Sequence, residues 1–380
     1  MSGEVLKLKI VLYFLAILIA IILQKKSSQK VRGILVLLIL CISTFLMANS
    51  QIIEGGDNWS YWIHYEKIVD SQGFEPGYLL LQNLGYSLGL SYIEFRTLFI
   101  LLFSIILFIG ISRLTTNYGY VYNLYLLYFI FKDNEQLRFF AATVLVVVGL
   151  KYLVYDTKLS VVKYLIFVAI ACTFHKTAFI FAALSFAKLP DSWKKYFIKV
   201  AQAFAVVFVA LAIANRELII SLLTLIDKDK GVGYSTAGNV RFGFIIPLGL
   251  FIYNYLIINK INKRVSMLKF SDNNDVYIKL GLSKKVKKVY ELSNLLHYMK
   301  FLTLISLCTV PLLLINIHFY RIGRSVFFIS LIAIAEYHKH INKDARLKIR
   351  LEVLGLLALF CIFDFIIFGN FTNQVFTLFM

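Results

Sequence analysis

The chain has 380 residues, of which 59% are hydrophobic and 16% aromatic, and its mean hydropathy is +0.76. That is too apolar for a soluble globular chain and implies a polytopic membrane protein. The net charge of +19 would suit a nucleic-acid partner, but the cations cluster in every second loop between apolar segments, a pattern of membrane orientation that argues against nucleic acid.

In chain order, the apolar runs Ile10 to Leu23, Ile34 to Ala48, Leu98 to Ile111, Val200 to Ala214 and Leu351 to Phe368 each approach a bilayer-crossing helix, which needs about 20 residues with its flanks. None alternates with period two, so barrel strands are excluded. The first run is followed by Gln24-Lys25-Lys26 and by no small-residue cleavage site, so it is expected to persist as a span. Asn49 to Glu94 reads as an extracytoplasmic loop with interfacial helices, since Trp59, Tyr61, Trp62, Tyr65, Tyr78, Tyr86 and Tyr92 stand there among polar residues. Within it, Pro76 and Gly77 of Gly73-Phe74-Glu75-Pro76-Gly77-Tyr78 end one helix and start another, because proline fits a first helical turn and not an interior.

Tyr118 to Phe131 and Phe139 to Val154 are short and are separated by Lys132-Asp133-Asn134-Glu135-Gln136-Leu137-Arg138, which predicts a hairpin of short helices. A second break is expected at Phe174-His175-Lys176-Thr177. The expected fold is an all-α polytopic membrane protein, one membrane domain over residues 1–380, with about 10–14 transmembrane helices, some of them short or re-entrant. No internal repeat of the kind that marks many transporters is visible.

The loops read as cytoplasmic are Gln24 to Gly33, Lys151 to Lys163, Lys188 to Lys199, Lys260 to Lys300 and Lys339 to Arg350; with Arg113 they hold 27 of the 40 Lys and Arg. This bias predicts both termini outside. The basic loop 260–300, with Lys284-Lys285-Val286-Lys287-Lys288, is an orientation signal that also suits anionic membrane lipid. Cys41, Cys172, Cys308 and Cys361 have no paired spacing, so neither a disulfide framework nor a thiolate metal site is expected. Without HExxH, Walker or Gly-rich nucleotide motifs, no metal and no cofactor are expected.

A second set of cations does not fit the orientation pattern. Arg138, His175 with Lys176, Arg241, Arg321 and Arg324 fall at ends of apolar segments on the face opposite the basic loops. A charge near hydrocarbon is expensive unless paired or hydrated, and guanidinium forks match phosphate oxygens, so this set reads as a site for an anionic, phosphate-bearing ligand. Asp57, Glu75, Asp133 and Glu135 lie on the same face, where the alternative use of these acids is to pair with the arginines and lock helices together.

These residues resemble the EpsG-like and Wzy-type polymerases of bacterial surface polysaccharides (O-antigen, capsule or exopolysaccharide) over most of the chain. The resemblance rests on the basic first loop, Asp57 with Tyr61, the Glu75-Pro76-Gly77-Tyr78 run, and the acidic turn Asp133-Asn134-Glu135-Gln136-Leu137-Arg138 with its small residues Ala141-Ala142. Phe174-His175-Lys176-Thr177-Ala178 and Tyr320-Arg321-Ile322-Gly323-Arg324-Ser325 complete it. The chain departs from the family at Asn49-Ser50-Gln51, where members often carry an arginine.

The resemblance implies a GT-C-like architecture in the bacterial cytoplasmic membrane and a metal-independent glycosyl transfer on its extracytoplasmic face. A glycan on undecaprenyl pyrophosphate would be moved onto a lipid-linked repeat unit; a docking role of the 260–300 loop for a chain-length regulator is open, with no motif behind it. Arg138, Arg241, Arg321, Arg324 and Lys176 would bind pyrophosphate. His175 would deprotonate the acceptor hydroxyl, with Asp57 and Glu75 as rival bases. Trp59, Tyr61 and Tyr78 would contact sugar. Two other classes remain open: a flippase of lipid-linked oligosaccharides, which would carry its cations in a central cavity, and a membrane acyltransferase that modifies the glycan.

Overall fold

A computed structural model of the chain describes residues 3–25, 28–54, 56–67, 73–155, 158–214, 221, 245–271, 284–314, 319–367 and 377–379. Every regular element among them is helical, and the protein is an all-α polytopic membrane protein. Five described helices are long and apolar enough to cross a membrane: Glu4–Ile22, Gln29–Ala48, Tyr92–Leu114, Leu137–Val154 and Ile245–Val265. The chain divides into two compact units.

The first unit comprises Met1–Lys151, Val162–Phe179 and Leu357–Met380. Its helices are α1 (Gly3–Ile22), α2 (Gln29–Ala48), α3 (Asp57–Tyr65), α4 (Pro76–Ser87), α5 (Tyr92–Leu114), α6 (Tyr118–Leu124) and α7 (Ile130–Glu135), followed by most of α8 (Leu137–Val154) and α9 (Ser160–Cys172). Local chemistry sets several starts. The Ser28 hydroxyl accepts the Val31 amide to cap α2, Pro76 occupies the first turn of α4, and Ser91 with Glu94 forms a reciprocal capping box at α5. α2 packs between α1 and α5, and α6 lies on α1. Leu8, Val11, Phe14 and Leu18 of α1 stay exposed, a face that suits lipid because a spanning helix already satisfies its own backbone.

A π-helical turn, Tyr125–Phe129, joins α6 to α7, and another, Ile362–Ile367, lies near the C-terminus. Such turns widen the helix by one residue and displace side chains from the α-helical register. The Tyr13 hydroxyl donates to the Leu126 carbonyl of the first turn at 2.9 Å. Tyr128 of that turn hydrogen-bonds Asp364 of the second, and Lys132 Nζ stands 3.4 Å from the same carboxylate. Both charged side chains are almost fully enclosed, so the pair must neutralise itself internally.

The expected break between these helices is present and is tighter than the sequence spacing implies. α7 ends at Glu135, Gln136 alone leaves helical geometry with φ −108° and ψ 55°, and α8 begins at Leu137. The second expected break also forms: α9 ends at Cys172, and a tighter 3₁₀ helix starts at Lys176 and runs to Lys188.

The second unit comprises Tyr152–Val161 and Ile180–Leu356. It holds α10 (Asp191–Ala214), α11 (Ile245–Ser271), α12 (Lys284–Cys308), α13 (Tyr320–Tyr337) and the larger part of α14 (Lys343–Cys361). α12 packs against α10, α11 and α13, and α11 also meets α13. α13 comes close to α11 at Gly323, where a Cβ would fall 1.7 Å from the Phe251 ring. A side chain there would force the Phe251 ring to move. The basic segment 260–300 is helical on both sides, as the ends of α11 and α12, and Lys260 of α11 pairs with Glu352 of α14.

Candidate active site at two helix breaks

Glu75 precedes α4 and its side chain is only 1% exposed. It does not cap its own helix, because both carboxylate oxygens are used elsewhere. Oε2 pairs with Arg138 Nη1, beside the break at Gln136, while Oε1 accepts the backbone amide of Lys176 at 3.2 Å, beside the break after α9. One carboxylate therefore ties together two helix starts, where unpaired amides and the positive end of the helix favour an anion. Gly77 makes this approach possible. Its amide donates to the Thr173 carbonyl at 2.7 Å, and a Cβ would lie 2.3 Å from Thr173 Oγ1.

Arg138 is 15% exposed and lies against aromatic faces. Its guanidinium carbon is 4.4 Å from the Phe74 ring centroid and 5.3 Å from that of Tyr61. Nε donates to the Tyr61 hydroxyl and Nη1 to the Gly73 carbonyl, each at 3.4 Å. These bonds leave Nη2 outside them. The apolar rings lower the local dielectric and strengthen any charge contact made by the guanidinium.

His175 sits in the second break, 9% exposed, with the Phe139 ring edge-on at 5.1 Å. Its Nδ1 is 2.7 Å from the Thr177 hydroxyl, so the residue two positions on fixes the ring. Lys176 is exposed beside it. Asp57 opens α3, partly exposed and within electrostatic range of Arg138.

The aromatic residues divide by burial. Tyr78 is fully buried among Tyr61, Phe74, Phe95 and Phe99, and Tyr61 is 3% exposed. Trp59 and Trp62, one turn apart on α3, have ring centroids 4.8 Å apart and remain partly exposed. Tyr78 is therefore part of the packing beneath Arg138, whereas the tryptophans present ring surface outward.

The first unit thus brings together Asp57, Tyr61, Glu75, Tyr78, Arg138, His175 and Lys176. Arg321 and Arg324 begin α13 of the second unit, the former partly exposed and the latter 2% exposed. Arg241 lies outside the described residues. No cluster of three or more His, Cys, Asp or Glu suited to a metal ion occurs among the described residues.

Sequence reading alone does not single out Arg96, which is fully buried four residues into α5. Its guanidinium donates to Ser50 O at 3.3 Å, to Ser50 Oγ, and to Asn134 Oδ1 and O at 2.8 and 3.3 Å. Ser50 belongs to the Asn49-Ser50-Gln51 stretch that lacks an arginine of its own. The available signal was an arginine inside an otherwise apolar span. Lys9 of α1, 1% exposed, donates to the Asn49 carbonyl at 2.6 Å, so two buried cations meet the carbonyl-rich end of α2.

Comparison with known proteins matches residues 34–378 to the EpsG family. No curated protein and no solved structure matches the chain.

Proposed function

This chain belongs to the EpsG family, and we propose that it is a polysaccharide polymerase that joins undecaprenyl-pyrophosphate-linked repeat units by glycosyl transfer on the extracytoplasmic face of the bacterial cytoplasmic membrane. Family membership supports polysaccharide biosynthesis, and the five apolar helices support a multi-pass membrane protein. The observation that carries the finer reading is the Glu75 carboxylate, which holds Arg138 and the Lys176 amide beside His175.

In the proposed reaction the bond between the anomeric carbon and the pyrophosphate oxygen of the donor breaks. An acceptor hydroxyl forms the new glycosidic bond and loses its proton. Negative charge grows on the leaving pyrophosphate, and a preset guanidinium stabilises that growth without reorganising. Arg138 has this role, with Nη2 directed to phosphate oxygen and Lys176 adding a mobile charge. Glu75 orients Arg138; with both oxygens engaged, it is the poorest placed of the three candidate bases.

His175 accepts the hydroxyl proton. The tautomer in which Nδ1–H donates to Thr177 makes Nε2 the basic nitrogen. Asp57 is the rival base from the α3 side. Trp59 and Trp62 supply a sugar platform, and enclosed Tyr61 and Tyr78 support Arg138 from below. Arg321, Arg324 and Arg241 remain further candidates for the pyrophosphate or for a second lipid-linked unit.

The test is replacement of the chromosomal gene by an Arg138→Ala allele in the host, followed by gel analysis of surface glycan and extraction of lipid-linked intermediates. Polymer should collapse to single repeat units while the protein stays inserted at its normal level. Full-length polymer at normal protein level would overturn the pyrophosphate role. Intermediates trapped on the cytoplasmic side, with no surface glycan, would indicate a flippase.

A further inference from the structure

The hydrogen bonds of Arg96 lead to both sides of the candidate site. Through Nη2 it holds Asn134, on α7 just before the Gln136 break. The Asn134 carbonyl also accepts from Asn58 Nδ2 at 3.0 Å, and Asn58 lies on α3 between Asp57 and Trp59. Ser50 closes the network, its hydroxyl donating to Asn134 Oδ1 at 2.8 Å. Arg96, Asn134, Asn58 and Ser50 are each at most 4% exposed.

All four acceptors of the Arg96 guanidinium are neutral oxygens. A buried cation held in this way is a costly means of joining helices, and apolar side chains of similar volume would join them more favourably. Here Nη2 bridges the end of α2 and the α7 break, and Nη1 adds the Ser50 carbonyl, so the planar guanidinium fixes the mutual geometry of the two segments, with α3 attached through Asn134.

We propose that Arg96 is a positioning residue: through Asn134 and Asn58 it sets α3, with Asp57 and Trp59, against the break that carries Arg138. Its effect on turnover rests on the glycosyl-transfer reading above; its effect on α3 does not.

Fluorescence separates the two. The chain has three tryptophans, two of them on α3, so a Trp193→Phe background leaves a signal from α3 alone. Lysine keeps the charge but has a single donor nitrogen, so it cannot make the Nη1 bond to the Ser50 carbonyl together with the Nη2 bonds to Ser50 Oγ and Asn134. In that background Arg96→Lys should raise acrylamide quenching of Trp59 and Trp62 about twofold while helicity holds. Turnover should fall about tenfold or more and KM for the lipid-linked unit should rise with it, because α3 carries Asp57 and the sugar platform of Trp59 and Trp62, whereas Arg138, Glu75 and His175 keep their own contacts. Asn58→Ala cuts the same path at its α3 end and should reproduce both effects; it decides the matter if Arg96→Lys does not fold. Unchanged quenching in folded protein overturns the positioning of α3, and changed quenching with unchanged turnover overturns its role in the reaction. Failure of the Arg138→Ala test would remove the reaction while leaving the quenching result intact.

Discussion

Glu75 and Arg138, 63 residues apart in sequence, form an ion pair whose acid partner is almost completely enclosed. Because the second oxygen of Glu75 accepts the Lys176 amide, the pair fixes the relation between the turn that carries Arg138 and the turn that carries His175.

Removing the acid should therefore do more than remove a charge. Glu75→Gln retains the size and one acceptor, but leaves Arg138 without its counter-charge. Breaking a buried pair by losing one partner costs about 3–5 kcal/mol, and loss of a preset charge contact costs about 10²–10³ in rate. Repeat-unit transfer measured with purified protein should fall at least about 10²-fold. Activity close to that of the unaltered protein would mean that Arg138 is oriented by Tyr61 and Phe74 alone.

Gly77 should tolerate no side chain. Alanine there would press on the Thr173 backbone as well as its hydroxyl, the carbonyl oxygen lying 2.8 Å from the new Cβ. Gly77→Ala should lower the unfolding temperature in detergent and reduce transfer together. Thr173→Ala should restore it only in part, since the carbonyl remains. Gly33→Ala is the control, because nothing lies within 4 Å of its Cβ position.

The pair between the π-helical turns makes a different prediction. Lys132→Met or Asp364→Leu alone leaves an uncompensated buried charge, at a cost of about 3–5 kcal/mol. The double substitution removes both charges and should be less destabilising than either single change. Unfolding of the three variants in a denaturant series measures the coupling, and simple additivity would show that Lys132 and Asp364 do not depend on each other.

His338 confers a pH dependence. Burial, and then Arg350 and Arg346, push its imidazole pKa down to about 3, against about 6.5 in an unfolded chain. Between those values the unfolded chain carries the proton and the folded protein does not. The stability is thus fully present above about 6.5 and is lost as pH falls toward 3, by up to about 1.4 kcal/mol per pH unit. His338→Gln should flatten the decline in unfolding temperature between about pH 6.5 and 5. An equally steep decline in the variant would assign it to other groups.

Hydropathy made the membrane class legible, because crossing a bilayer imposes length and composition on each helix independently of its neighbours. Both helix breaks were legible for the same local reason: Lys132 to Arg138 and Phe174 to Thr177 interrupt apolar runs with polar groups. Pro76 marked the start of α4, since proline lacks an amide donor. The cations and acids of the candidate site could be named from their position at helix ends.

Their pairing could not. Which arginine Glu75 meets, why Gly77 is glycine, why Tyr78 is enclosed while Trp59 is not, and what Arg96 and Lys132 are for all depend on helices brought together across long separations. Asp364 and Tyr128 are 236 residues apart. Periodicity reports which face of a helix is apolar, but not which neighbour covers it or which carboxylate reaches a given guanidinium. Those choices follow from packing at close range, where one missing Cβ at Gly77 or Gly323 decides how near two segments come.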